Sequence, residues 1–379
     1  MLNFRSDPVA VAESVLADLW DRLDRARLPN QIEGIGWDQG TELGWLQEVI
    51  AYWRNDFDWR AVEAEINGWG PVATEVEGQR IHVLHARSPH PGAMPLLLSH
   101  GWPGSVIEFL DALAPLTHPD DPADAFDVVA PSLPGYGFTG PTVQPGWHPR
   151  RIASAFTEVM AGLGYDRYGV QGGDWGSIVS QNVADLVPDR LTGLHLNFVS
   201  VPRPSGERTA ELAPEEQASI EGMRSWNEAE AGYSGIQRTK PQTVGYGLDD
   251  SPVGLAAWLL EKFRSWSDAG DDVLAAFSLD RLLANVTTYW VTRTATSSAR
   301  LYWEMARAGR ETVPHAYVGV PTGIANFPGE ITRMPRRWVE HRYNVTYWSE
   351  PRRGGHFAAM QVPDLFVEDL RAFFRTVRA

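Results

Sequence analysis

The spacing of apolar residues changes several times along the chain, and each change marks an element. Residues from about Asp7 to Asp24 repeat at helical period, with Val11, Val15, Leu19 and Leu23 on one face. LPNQIEGIGWDQG follows and reads as loop, and a second helix is expected over Leu43 to Asn55. Trp37, Trp45, Trp53, Trp59 and Trp69 stud this region, which has no evident core of its own. Strand patterns begin near Val72. VATEV and IHVLHA flank Glu77-Gly78 as a hairpin. MPLLLSH (94–100) and FDVVAP (126–131) are continuous apolar runs, as strands buried on both faces should be. Helices are expected over Val106 to Leu113 and Arg151 to Leu163. YGVQGGD and LTGLHLNFV (191–199) supply further strands, so strands and helices alternate as in a parallel sheet.

From Pro202 to about residue 310 strand signals fade and helical ones dominate, as in GLAAWLLEKFRSW and SLDRLLANVTTYW. Strands return with HAYVGVPTG (315–323) and VTYWSE (345–350), and a last helix covers Asp364 to Val377. The expected division is therefore an N-terminal arm (1–70), a core in two parts (71–201 and 311–379), and a helical cap (202–310) inserted between them.

Composition narrows the function. The net charge of -15 lacks the basic footprint that nucleic acid or an anionic membrane surface requires. The absence of cysteine excludes thiolate chemistry and disulfides. No segment approaches the roughly 20 apolar residues of a membrane span, and the N-terminus lacks the pattern of a signal peptide. A cytoplasmic protein is expected. The 16 tryptophans suggest aromatic packing or an apolar pocket.

The chemistry centres on YGVQGGDWGS (168–177). Small residues two before and two after a central residue mark the strand-to-helix elbow of an α/β-hydrolase. The fold class is thus α/β, an α/β-hydrolase fold with a mostly parallel sheet, a helical cap and an N-terminal meander. The central residue is Asp174 rather than serine. A carboxylate there attacks an sp³ carbon and forms an alkyl ester that water must cleave. An aspartate in this place would also serve as a plain helix N-cap.

His356, in PRRGGHFAAM, lies after the last strand and before the last helix, where this fold carries its histidine. Its role would be to deprotonate the hydrolytic water. His341 falls within an expected helix. Glu330, Glu350 and Asp364 are candidates to orient the histidine. Position after a strand and its loop favours Glu330; Glu350 reads as solvated and Asp364 as a cap of the last helix. HGWPG (100–104) occupies the oxyanion-loop position, so the backbone N–H groups of Trp102 and Trp175 are expected to form the oxyanion hole. A carboxylate nucleophile suits epoxides and alkyl halides, and an opening epoxide would need an acid such as tyrosine for its oxygen. The cap offers Tyr233, Tyr246, Tyr289 and Tyr302, and spacing does not choose among them.

HGWPGS, SLPGYGFT, GGDWGS, KPQTVGYGLDDSPVGLAAWLLEKF, FSLDRLLANVTTYW, VPTGIANFP and RGGHFAAM together resemble epoxide hydrolases of the microsomal type, over essentially the whole chain. The resemblance implies Asp174 as nucleophile, His356 as base, Glu330 as its partner, and Tyr233 and Tyr302 as the epoxide-oxygen donors. It implies no cofactor and no metal, a small-molecule epoxide as partner, and often a homodimer. It departs at Gln361, where the family often has an acid, and at the N-terminus, where a membrane anchor of the mammalian members has no counterpart. Soluble bacterial members occur in catabolism and in antibiotic pathways, including enediyne biosynthesis. The rival is a haloalkane dehalogenase, which shares the aspartate, the HGxP loop and the following tryptophan, but needs no tyrosine pair because a halide leaves without a proton. A non-catalytic binding protein on this fold is the third reading. The many aromatics point to a bulky, apolar or aryl epoxide.

Overall fold

A computed structural model describes residues 2–270, 272–309 and 316–378. The strands are β1 (Arg5–Ser6), β2 (Val72–Val76), β3 (Gln79–Ala86), β4 (Met94–Ser99), β5 (Phe126–Pro131), β6 (Tyr168–Gly172), β7 (Leu191–Leu196), β8 (Val318–Ala325) and β9 (Tyr343–Ser349). Among the described residues they form one sheet in the order β1-β2-β3-β5-β4-β6-β7-β8-β9. β1, β2 and β3 pair antiparallel with their neighbours, and β5 through β9 run parallel. The almost wholly buried strands β4 and β6 sit at the centre of the sheet, as strands covered on both faces do. Glu77 (φ 48°) and Gly78 (φ 78°) turn β2 into β3, and positive φ at both positions is what a two-residue hairpin of right-handed twist demands.

The helices Pro149–Gly162 and Asp174–Leu186 pack together, and Leu110–Thr117 packs with Pro363–Arg375. Phe373 of the last helix lies against the strands at Gly193 and Gly323, where an added Cβ would come within 2.6–2.8 Å of its ring. Between β7 and β8 the chain is helical. Pro214–Glu230, Pro241–Asp250 and Pro252–Ser265 each begin at a proline, which suits the first helical position because no intrahelical acceptor awaits its missing N–H. Leu279–Thr292 and Ala295–Ala308 close the insertion.

Three sequence expectations change in the arm. The first helix starts at Glu13, not Asp7, and buries Leu16, Leu19 and Leu23 rather than Val15. Residues before it are extended because β1 pairs with β2 and the Val9 and Val11 N–H groups donate to Asn67 and Glu63. A further helix, Trp59–Gly68, follows Asp58, whose side chain caps it by accepting from Arg60 and Ala61. The arm is tied to the rest of the molecule. Trp53 Nε1 donates to Thr287 at 2.9 Å, and Arg281 holds Glu65 and Asp111 in paired contacts of 2.6–2.9 Å.

Elsewhere the shifts are small. Val106–Phe109 is a 3₁₀ turn that precedes the helix at Leu110. Asp364 lies in the first turn of the last helix without capping it and pairs with Arg353 at 3.0 Å. His341 lies just beyond a short helix, Arg336–Glu340, and is exposed. His315 of the expected strand lies outside the described residues; β8 begins at Val318. Among the described residues no helix is long and apolar enough to cross a membrane.

Candidate active site

β6 ends at Gly172, and Asp174 opens the next helix with φ 46°. A non-glycine residue there carries strain of about 1–3 kcal/mol. The surroundings enforce it. A Cβ on Gly176 would sit 1.8 Å from the Ser99 carbonyl oxygen, and one on Gly172 would sit 2.2 Å from that of Gly176. The helix can start beside β4 only because these positions lack side chains.

The Asp174 carboxylate has two partners. Oδ1 accepts the Trp102 N–H at 2.8 Å, and Oδ2 stands 3.3 Å from His356 Nε2. The second is an ion-pair contact without hydrogen-bond alignment, which leaves the buried Nε2 without a hydrogen-bond partner. On the other side of the ring, His356 Nδ1 lies 2.9 Å and 3.1 Å from the two oxygens of Glu330. A bridge between Gly329 and Gly355 sets this pair side by side, since each glycine immediately precedes one of the two residues. Trp266 takes the His356 N–H on its carbonyl at 2.9 Å and lays its indole 5.0 Å from the imidazole.

Burial opposes charge on His356, but Glu330 and Asp174 outweigh it and push its pKa up to about 10. The two flanking carboxylates thus favour the imidazolium form of His356.

The tyrosines approach from the insertion. Tyr233 stacks on Trp102 at 5.0 Å with an interplanar angle of 5°. Tyr302 stands edge-on to Trp175 at 4.7 Å and 5.8 Å from Tyr233. Burial first, and then nearby groups including Asp174, hold both phenols well above their ordinary pKa, so both stay protonated. Trp175 lies in the first turn of its helix, so its N–H has no intrahelical acceptor.

The other candidates lie apart. Glu350 is exposed. Tyr246 is 69% exposed. Tyr289 is fully buried and donates to the Gly104 carbonyl at 2.8 Å. Asn285, one helical turn earlier, donates to the Pro103 carbonyl at 2.8 Å and accepts from Ser105. These two braces of the HGWPGS loop were not anticipated. Their i, i+4 spacing in FSLDRLLANVTTYW was the available signal. Gln361 is buried and donates to Asp268. Among the described residues no group of three His, Asp or Glu side chains is placed to hold a metal ion.

The sheet, the elbow and the loops at the strand ends define an α/β-hydrolase, and residues 94–210 match the alpha/beta hydrolase fold family. Residues 4–109 match the family described as epoxide hydrolase N terminus. The chain belongs to the epoxide hydrolases, enzymes that hydrolyse an ether bond. It is 46% identical over 376 residues to a Stigmatella aurantiaca protein provisionally named an epoxide hydrolase, covering 98% of this chain and 84% of that one. It is 38% identical to epoxide hydrolase 1 of Sus scrofa, over 98% of this chain and 88% of the relative. Juvenile hormone epoxide hydrolase of the silkworm Bombyx mori superposes with a TM-score of 0.93 at 30% identity, covering 100% of this chain and 96% of the other. Aspergillus niger epoxide hydrolase superposes with a TM-score of 0.89 at 30% identity, covering 99% and 97%.

Proposed function

We propose that the enzyme opens its epoxide through a covalent ester on Asp174 and releases a vicinal diol. Tyr233 and Tyr302 hold the epoxide oxygen. An Asp174 oxygen attacks a ring carbon, that C–O bond breaks, and a tyrosine gives its proton to the leaving oxygen. Alkylation removes the Asp174 charge, one of the two that hold His356 protonated. The imidazolium then loses its proton, which restores the tyrosine, and neutral His356 becomes the base for the second step. Water attacks Asp174 Cγ and passes one proton to His356 Nε2. The Trp102 and Trp175 N–H groups stabilise the oxyanion, a contribution worth on the order of 10²–10³ in rate per donor. The Cγ–O bond to the product breaks, and His356 protonates the departing alkoxide. The carboxylic acid left on Asp174 returns its proton to His356.

The observation that carries this reading is the alignment of Glu330, His356 and Asp174 below two protonated tyrosines. The tyrosine pair favours it over a haloalkane dehalogenase. Trp102, Trp175, Trp266 and the two tyrosines cluster tightly, which supports a bulky apolar or aryl epoxide as substrate. A single turnover in ¹⁸O-water tests the covalent step. The first diol should carry unlabelled oxygen from Asp174; a fully labelled diol in that turnover excludes the ester.

A further inference from the structure

One buried acid has no part in the steps above. Glu108 lies on the 3₁₀ turn Val106–Phe109 that follows the HGWPGS loop. It is 9% exposed, and among the described residues no lysine, arginine or histidine forms an ion pair with it. Its side chain folds back over the loop. Oε1 lies only 1.4 Å from where a Cβ on Gly104 would be, so the space a side chain would take at residue 104 is filled by the Glu108 carboxyl. The Gly101 N–H donates to that carboxyl. The other face of Gly101 presses on the elbow, since a Cβ there would lie 2.3 Å from Asp174 Cβ. Glu108 and Asp174 therefore flank the same glycine.

A small cavity opens beside them, about 20 Å³ in volume, its lining including Asp174, His356, Glu108, Asn197, Gln171 and Phe366. That is room for one water. Neither Tyr233 nor Tyr302 lines it, although Trp102, against which both pack, does. His356, whose Nε2 stands 3.3 Å from Asp174 Oδ2, also lines it.

We propose that Glu108 is a positioning residue for ester hydrolysis: its carboxyl accepts a hydrogen bond from the water that attacks Asp174. The inference rests on the covalent reading given above. The water needs its lone pair directed at Cγ and one O–H directed at His356 Nε2. A second acceptor for the other O–H fixes that orientation, and Glu108 is the acid that reaches the cavity. Burial raises the Glu108 pKa to about 8; charge on His356 works against that rise and Asp174 adds to it.

The test separates the two chemical steps. Glu108→Gln keeps the shape but presents an amide N–H₂ either to the water or to the Gly101 N–H. It should slow hydrolysis at least tenfold and leave alkylation within twofold. In steady state kcat and KM then fall together while kcat/KM holds, and intact-protein mass spectrometry shows the alkyl-enzyme accumulating. Glu108→Asp, one methylene shorter, should show the same split more weakly and serves if the first variant folds poorly. An equal fall in kcat and kcat/KM in both variants, or no change in kcat, overturns the role of Glu108. His356→Gln is the control for the parent reading. An adduct in it with normal Glu108→Gln turnover sinks only the Glu108 proposal, whereas no adduct in any variant sinks the covalent reading and this one with it.

Discussion

The two sides of this site are held by different means. On the core side, close backbone contacts set the placement. Asp174 sits at positive φ between glycines whose missing side chains would strike carbonyl oxygens at 1.8–2.2 Å, and His356 meets Glu330 because two adjacent glycines pair. On the cap side, side chains do the holding. Tyr233 comes from a short helix, Gly232–Thr239, next to a helix, Pro214–Glu230, that buries none of its described side chains. Its position rests on stacking against Trp102. The core side has little room to relax around a change, because its glycines leave no space for a side chain. The cap side can shift by tenths of an ångström and keep its aromatic packing. This suits a division of labour in which the core sets the chemistry and the cap sets which epoxide is accepted.

The largest expected effect lies on the core side. Asp174→Ala should lower kcat by on the order of 10⁴-fold or more, since groups that act as a unit fail together. Burst kinetics with an aryl epoxide would measure it. Residual turnover within a hundredfold of wild type would show that the elbow is not the chemical centre, and the contrast would collapse.

Smaller losses are expected on the cap side. Tyr233→Phe and Tyr302→Phe should each cost roughly tenfold to a hundredfold, because one phenol still reaches the oxygen. The double variant should lose about 10²–10⁴, the usual worth of a placed acid. The readout is the alkylation rate in stopped flow. If either single variant is as damaged as Asp174→Ala, the cap is no more tolerant than the core.

A third test uses pH. His356 has a folded pKa near 10 and an unfolded value near 6.5. A raised pKa stabilises the fold fully below pH 6.5, and the gain is lost as pH climbs towards 10. Urea unfolding should therefore show wild type losing stability relative to His356→Gln across that window. In Asp174→Ala the window should close at a lower pH, because one of the two supporting carboxylates is gone. A wild-type curve parallel to His356→Gln throughout would mean that the histidine is not held between charges.

The same contrast explains what the sequence disclosed. Packing that excludes side chains leaves glycines behind, so GGDWGS and RGGH could be read directly. β8 and its loop led to Glu330 for a related reason: strand order in this fold sets where an acid falls. The tyrosines were different. Four of them occupy helices of similar pattern, and what separates Tyr233 and Tyr302 from exposed Tyr246 or from Tyr289 is their approach to Trp102 and Trp175. That is a tertiary fact without local trace, and only family resemblance supplied it. In the arm, Val11, Val15 and Leu19 imitated a helix over residues 7–12, whose N–H groups in fact find partners in Asn67 and Glu63. Partners more than fifty residues away leave no periodicity to read.

The smallest predicted effect concerns where the two sides meet. The HGWPGS loop belongs to the core, yet its carbonyls at Pro103 and Gly104 are satisfied by Asn285 and Tyr289 of the insertion. Tyr289→Phe removes one donor and leaves a buried carbonyl short of a partner, at a cost of about 1–2 kcal/mol in unfolding free energy. Turnover should fall less than tenfold, since Trp102 keeps its hydrogen bond to Asp174. Asn285→Ala should cost more, because it loses a donor and an acceptor together. The double variant distinguishes two cases. Additive costs would mean that each brace acts alone and the loop is set by the core. A coupling above about 0.5 kcal/mol would mean that both braces hold one shared loop position. The oxyanion donor would then be placed partly by the cap, and the division between rigid chemistry and adaptable recognition would be narrower than the glycines suggest.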